Sequence, residues 1–189
     1  MIRLFVGIDL PLEIKHALDG ICYGVDGARW VDPETMHLTL RFIGDIPEPE
    51  ADAVAEALDG VQEPAFELHV AGIGHFGSGD RVRVLWAGIE PQPALDQLRQ
   101  RVVSALKRID IPRAEPDFKP HITLARFDRG EAGDLEKFMV ANGMLRLRPF
   151  TVDRFVLYSS HFGRSGPIYR PEAEYPLYGA DWAEAWASP

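Results

Sequence analysis

A chain of 189 residues, 46% hydrophobic and 26% charged, is long enough to bury a core as one compact domain or two small lobes. Its 20 basic and 29 acidic residues give a formal charge of −9, which argues against wrapping long nucleic acid, because such binding depends mainly on phosphate neutralisation. The apolar runs are strand-sized and broken by charge, the N-terminus lacks a signal-peptide cleavage pattern, and Cys22 alone permits no internal disulfide, so the expectation is a cytoplasmic protein that does not cross a membrane.

Residues 2–9 alternate, with Ile2, Leu4, Val6 and Ile8 on one face and Arg3, Phe5, Gly7 and Asp9 on the other, as in a half-buried strand. Pro11 opens a helix that runs to about residue 23. Met36 to Phe42 reads as a strand ended by Gly44 and Pro47, and residues 50–61 as a helix with Val54, Leu58 and Val61 on one stripe. Two strands follow, Phe66 to Val70 and Arg81 to Ile89, with a turn between them rich in glycine (Gly72, Gly74, Gly77, Gly79). The clearest helix covers 92–108, with Leu95, Leu98, Val102, Leu106 and Ile109 aligned. Pro116 and Pro120 lead into a strand from His121 to Phe127, then come a helix near 131–141 and strands over Phe150 to Ser159 and Ile168 to Leu177. Each half holds a strand, a helix and a further strand, which predicts an α+β fold of two similar lobes related by a pseudo-twofold axis. Residues 1–178 form this single bilobal domain, and 179–189 a loosely held tail.

One phrase occurs twice, His37-Leu38-Thr39-Leu40 and His121-Ile122-Thr123-Leu124, 84 residues apart. Random placement of six histidines and four threonines would put a Thr two places after a His only about 0.13 times. On a strand, residues i and i+2 share a face, so each His travels with its Thr, while Leu38, Leu40, Ile122 and Leu124 point into the lobes. If the two strands lie side by side or face to face across the lobe boundary, two imidazoles and two hydroxyls converge on a space the size of a phosphate. A single His-x-Thr is more often a half-exposed surface pair; two copies in matching contexts favour a shared site. That set suits phosphodiester hydrolysis without a metal or other cofactor. One neutral His takes a proton from water, a protonated His gives one to the departing oxygen, and the threonines donate to the non-bridging oxygens.

The repeated His-x-Thr-Leu resembles the signature of the 2H phosphoesterase superfamily, and within it the bacterial and archaeal RNA 2′,3′-cyclic phosphodiesterases, also called 2′-5′ RNA ligases. Arg3-Leu4-Phe5-Val6, Arg29-Trp30-Val31, Arg41-Phe42-Ile43-Gly44, Arg83-Val84-Leu85-Trp86-Ala87-Gly88, Pro120 before the second motif, Ala125-Arg126 after it, and Leu157-Tyr158-Ser159-Ser160-His161-Phe162 carry the resemblance further. Phe162 stands where the family usually has Leu. The resemblance implies a bilobal 2H phosphoesterase fold, antiparallel sheets with outer helices around a central cleft. It implies hydrolysis of a terminal 2′,3′-cyclic phosphate to a 2′-phosphomonoester, with ATP-independent joining to a 5′-hydroxyl as a related reaction. The implied partners are RNA ends or nucleotides bearing the cyclic phosphate, taken by a monomer without metal. His37 and His121 match the family's catalytic positions, Thr39 and Thr123 its substrate-binding ones, and Arg126 a phosphate-contacting arginine.

Strict alternation instead puts Arg41 on the face of His37 and Thr39, and Arg126 opposite His121. A bulge or strand end at Ala125 would return Arg126 to the cleft, so Arg126 is favoured and Arg41 is second. The expected roles are His121 activating water and His37 protonating the leaving 3′-oxygen.

Phe5, on the polar face of the first strand, is a candidate to stack on a base, with lobe-boundary packing the equal alternative. Phe42 and Trp86 fit a core role better. His69 and His75 have no metal-ligand spacing, His16 reads as a solvated helix residue, His161 as a minor candidate for the cleft, and Cys22 as a packing residue. No Gly-x-x-x-x-Gly-Lys loop or His-Glu-x-x-His is present, which leaves a P-loop nucleotidase and a zinc hydrolase unsupported. Competing readings are a phosphodiesterase for a small cyclic nucleotide and a nucleotide-binding module without turnover.

Overall fold

The computed structural model describes residues 1–77, 82–111, 117–128, 133–163 and 166–179. The N-terminal alternation becomes β1 (Ile2–Asp9), with Leu4, Val6 and Ile8 in the core. Phe5 and Gly7 on the opposite face are buried too. β1 is therefore covered on both faces, not half-buried: the core covers one, and His37, Phe42, Tyr158 and Tyr169 pack around Phe5 on the other. Helix α1 (Leu12–Asp19) begins after Pro11, whose carbonyl accepts from the amides of Ile14 and Lys15, and it buries Ile14 and Leu18. It ends earlier than the expected residue 23. The three-residue β2 (Ala28–Trp30) is too short for any periodicity to announce.

A 3-10 turn over Pro33–Thr35, capped by the Asp32 side chain on the Glu34 amide, delivers the chain to β3 (His37–Ile46). Then come α2 (Glu48–Asp59), β4 (Phe66–Leu68), β5 (Val70–Phe76), β6 (Val84–Ile89), α3 (Pro93–Lys107), β7 (His121–Phe127), α4 (Leu135–Asn142), β8 (Phe150–Val152), β9 (Arg154–Gly163) and β10 (Gly166–Pro176). The α3 stripe of Leu95, Leu98, Val102 and Leu106 is buried, while Ile109 lies beyond the helix end and is half-buried. Parts of the expectations at Gly79, Arg81, Pro116 and 131–132, and nearly all of the expected tail, lie outside the described residues.

The main sheet runs β10-β9-β1-β3-β7-β6-β5, with β2 joined to the far end of β7, and β4 and β8 form a separate pair. The strands β3 and β7 meet antiparallel at one residue pair, Leu38 opposite Ile122. That pair acts as a local twofold. One His-x-Thr lies on each side of it, and the lobe sheets β3-β1-β9-β10 and β7-β6-β5 extend away in opposite directions. β2 fills the space where the two strands diverge, pairing Ala28, Arg29 and Trp30 with Phe127, Arg126 and Ala125.

Both motif strands carry a bulge at the same place. Gly7 is opposite Thr39 but Val6 is opposite Arg41, which leaves Leu40 as an extra residue. Trp86 is opposite Thr123 but Leu85 is opposite Ala125, which leaves Leu124 extra. A one-residue insertion reverses which later residues face the cleft. A second bulge at Ile43, beside Gly44 with its φ of +91°, lets β3 continue to Ile46 rather than stop after Phe42.

The glycines expected to make a turn are partly strand residues, since Gly72 and Gly74 belong to β5. Trp86, the cross-strand partner of Gly74, is the reason. A Cβ on Gly74 would lie 2.1 Å from a carbon of the Trp86 ring, so the indole lies flat on bare backbone. Gly74→Ala is expected to cost about 1–3 kcal/mol through overpacking, read as a lower midpoint in urea unfolding; an unchanged midpoint would show that Trp86 has room to move.

Candidate active site

The Leu38–Ile122 pair places His37 and Thr39 of β3 and His121 and Thr123 of β7 on one face, opposite to the two apolar residues between them. All four side chains are partly accessible, whereas Leu38, Leu40, Ile122 and Leu124 are buried behind them.

The two imidazoles are held alike. Nδ1 of His37 lies 2.7 Å from the Thr35 carbonyl, and Nδ1 of His121 lies 2.7 Å from the Lys119 carbonyl. A carbonyl only accepts, so each Nδ1 carries the proton and each Nε2 is left as the working nitrogen. Nε2 of His37 takes a hydrogen bond from the Thr39 hydroxyl at 3.0 Å.

Aromatic rings fix both imidazole planes. Phe5 and Tyr169 lie 4.8 and 5.1 Å from His37, and Phe76 lies 4.9 Å from His121. Gly7 completes the seat of His37, because a Cβ there would come within 3.5 Å of the ring and 3.1 Å of the Leu38 carbonyl.

The electrostatics of the cleft favour neutral imidazoles. Burial pushes the pKa of His37 below 6.5; its bond to Thr35 and the Asp9 carboxylate oppose the shift, and Arg126 and Lys15 add to it. Burial also lowers His121, opposed by the Lys119 carbonyl and reinforced by Arg126 and the Lys119 ammonium. The Arg126 charge thus reaches both rings, and Tyr169 as well. Burial keeps the Tyr158 and Tyr169 hydroxyls protonated by raising their pKa values.

The bulge at Leu124 resolves the arginine question. Leu124 and Ala125 are both buried, and Arg126 returns to the exposed side with His121 and Thr123. The inversion occurs one residue before Ala125. Arg41 shows the converse. The bulge at Leu40 pairs it with Val6, on the face away from His37, and its guanidinium donates to the Phe42 carbonyl. The alternation that placed Arg41 beside Thr39 fails for that reason.

Phe5 does lie on the cleft face, but it is only 2% exposed. His37, Phe42, Tyr158 and Tyr169 all pack around its ring. It props His37 and offers no open face to a base. Phe42, expected in the core, is 61% exposed, because the same bulge turns it outward. Trp86 is buried, as expected of a core residue, but on the side of Thr123.

The remaining histidines stay apart from this centre. His161 bonds the Ser159 hydroxyl at 2.8 Å on the face of Leu4, not of Phe5. His16 is exposed, His69 sits near Glu90, and His75 bonds the Gly77 carbonyl. Cys22 is half-buried, its thiol on the Leu18 carbonyl, and burial raises its pKa to about 12; it is no nucleophile. Among the described residues no cluster of three or more His, Cys, Asp or Glu could hold a metal.

Sequence reasoning missed Lys15 and Tyr169. Lys15 is buried and bonded to Asp9 at 2.8 Å and to the Glu34 carbonyl, beside a cavity of about 240 Å³ that His37, Tyr158 and Tyr169 also line. A buried lysine on α1 has one available signal, its place between Ile14 and Leu18 on the apolar stripe. Tyr169 has none, since it reaches His37 from the distant β10.

This is a two-lobed phosphoesterase framework, with one His-x-Thr from each lobe facing a shared cleft. The model of the 2′-5′ RNA ligase superfamily matches residues 23–164, and the chain belongs to that family. It is similar to an RNA 2′,3′-cyclic phosphodiesterase of Archaeoglobus fulgidus, 30% identical over 89% of this chain and 96% of that one. A Geobacillus stearothermophilus protein of the same name is 31% identical over 93% of this chain, which spans 57% of that relative's length. Among solved structures, E. coli LigT complexed with 3′-AMP superposes with a TM-score of 0.77 at 29% identity, covering 93% of this chain and 98% of that one.

Proposed function

We propose that the protein hydrolyses terminal 2′,3′-cyclic phosphates of RNA to 2′-phosphomonoesters by two-histidine acid–base catalysis. The observation that carries this reading is the local twofold, which puts two imidazoles with matching tautomers on one face, both under the influence of the Arg126 charge. Its relatives named RNA 2′,3′-cyclic phosphodiesterase support the substrate class.

His121, the less buried ring, takes a proton from water on Nε2 as the water oxygen attacks phosphorus in line with the 3′-oxygen. The P–O3′ bond breaks, and protonated Nε2 of His37 delivers its proton to O3′. The phosphate stays on the 2′-oxygen. Thr39 and Thr123 donate to the non-bridging oxygens, and Arg126 balances their charge. The bound phosphate anion favours the protonated state of His37 that burial disfavours. A 5′-hydroxyl in the place of water gives a 2′-5′ linkage without ATP, because the strained cyclic diester is already activated.

No metal enters these steps. One chain supplies every group, which supports a monomer, and a single half-buried cysteine supports a cytoplasmic protein. Among the described residues no helix is long and apolar enough to cross a membrane.

The test is incubation in EDTA with an oligoribonucleotide ending in a 2′,3′-cyclic phosphate. A 2′-phosphate product is expected. A 3′-phosphate, or turnover only with added metal, would overturn the assignment.

A further inference from the structure

Beyond the His pairs, the cleft face of the first lobe continues as an exposed strip. Phe42 is 61% and Phe162 89% exposed, unusual for rings this large on a structured sheet. The strand register shows that they share the face of His37. Phe42 is opposite Phe5, 6.0 Å between ring centroids, and Phe5 is 4.8 Å from His37. Arg3 lies two residues before Phe5 on β1 and therefore on the same side. Its guanidinium is 5.8 Å from the Phe162 centroid, and Asp45 binds it at 2.8 Å. The order outward from the catalytic pair is Phe5, Phe42, then Arg3 with Phe162. Residues two apart on a strand are about 6.6 Å apart, comparable to the step between phosphates in an extended single strand.

We propose that Phe42, Arg3 and Phe162 form a stacking track for the unpaired nucleotides that precede the cyclic phosphate, so that the enzyme acts on single-stranded RNA ends in preference to free cyclic mononucleotides. The inference rests on the proposed phosphodiesterase activity and specifies its substrate. Two features select an RNA strand over another occupant. The track is continuous with the proposed phosphate site. Exposed aromatic rings accept any base.

The experiment compares kcat/KM for a 2′,3′-cyclic mononucleotide, a single-stranded tetranucleotide with the same end, and that end within a blunt duplex. The wild type is expected to prefer the tetranucleotide and to disfavour the duplex, whose paired bases cannot reach the rings. Phe162→Ala should lower the tetranucleotide value about tenfold and leave the mononucleotide value unchanged, and Phe162→Tyr should retain the preference. A tetranucleotide value untouched by Phe162→Ala, or an equal fall for both substrates, would overturn the track and leave the phosphodiesterase standing. Such a result would make the strip a protein contact or a structural element. Failure to turn over any of the three would remove both.

Discussion

His37→Ala and His121→Ala are each expected to lower kcat by about 10²–10⁴-fold, the range contributed by a positioned acid or base. Both rings present Nε2 to the cleft, because both Nδ1 protons are committed to carbonyls two residues earlier. The two proton transfers belong to one displacement. The double variant should therefore be little worse than either single one, since groups acting as a unit are not additive. The limbs of the pH profile separate their roles. Activity falls at low pH when the base becomes protonated and at high pH when the acid loses its proton. His121→Ala should abolish the acidic limb of its residual activity, and His37→Ala the alkaline limb. The opposite pattern would exchange acid and base while leaving the two-histidine mechanism intact. A single variant with more than a tenth of wild-type kcat, and an unchanged melting temperature, would remove that histidine from the chemistry.

The shared face of each His-x-Thr was legible in the sequence because it rests on strand period alone. His and Thr at i and i+2 share a face in any regular strand, and that relation survives in both lobes. Periodicity stops being a guide at the next residue. The bulges at Leu40 and Leu124 add one residue each, and the assignments just beyond them invert: Arg41 leaves the cleft, Phe42 enters solvent, and Arg126 comes in. The apolar pattern gives no warning, because Leu124 and Ala125 look like ordinary strand residues. The family resemblance points to Arg126, and the bulge is the physical reason it shares the face of Thr123. Long-range partners were beyond reach as well. Tyr169 and Phe76 meet the two imidazoles from strands far away in sequence, and nothing local in either stretch marks it as part of a site. The glycines of β5 were misread for a related reason. Glycine marks both a turn and a close approach, and only the position of Trp86 tells which.

Arg126→Ala is expected to act on rate and on pH dependence together. Removing one donor to the charge that develops on the phosphate should cost about 10²–10³ in kcat at the optimum. The second effect follows from the imidazoles. After burial, Arg126 is among the charges that hold both of them below 6.5. Without it the cationic form of each ring becomes less unfavourable, so both pKa values rise toward 6.5. The low-pH limb reports protonation of the base, and the high-pH limb deprotonation of the acid. Both must therefore move to higher pH, and the optimum of kcat/KM moves with them. Ring-proton titrations of His37 and His121 by NMR in the ligand-free protein measure the shift without reference to turnover. Arg126→Lys should restore the position of the optimum, because it restores the charge. It should recover only part of the rate, because an ammonium lacks the planar fork that grips two phosphate oxygens. A large loss of rate with both titrations unmoved would confine Arg126 to the substrate and show that its charge does not set the two imidazoles.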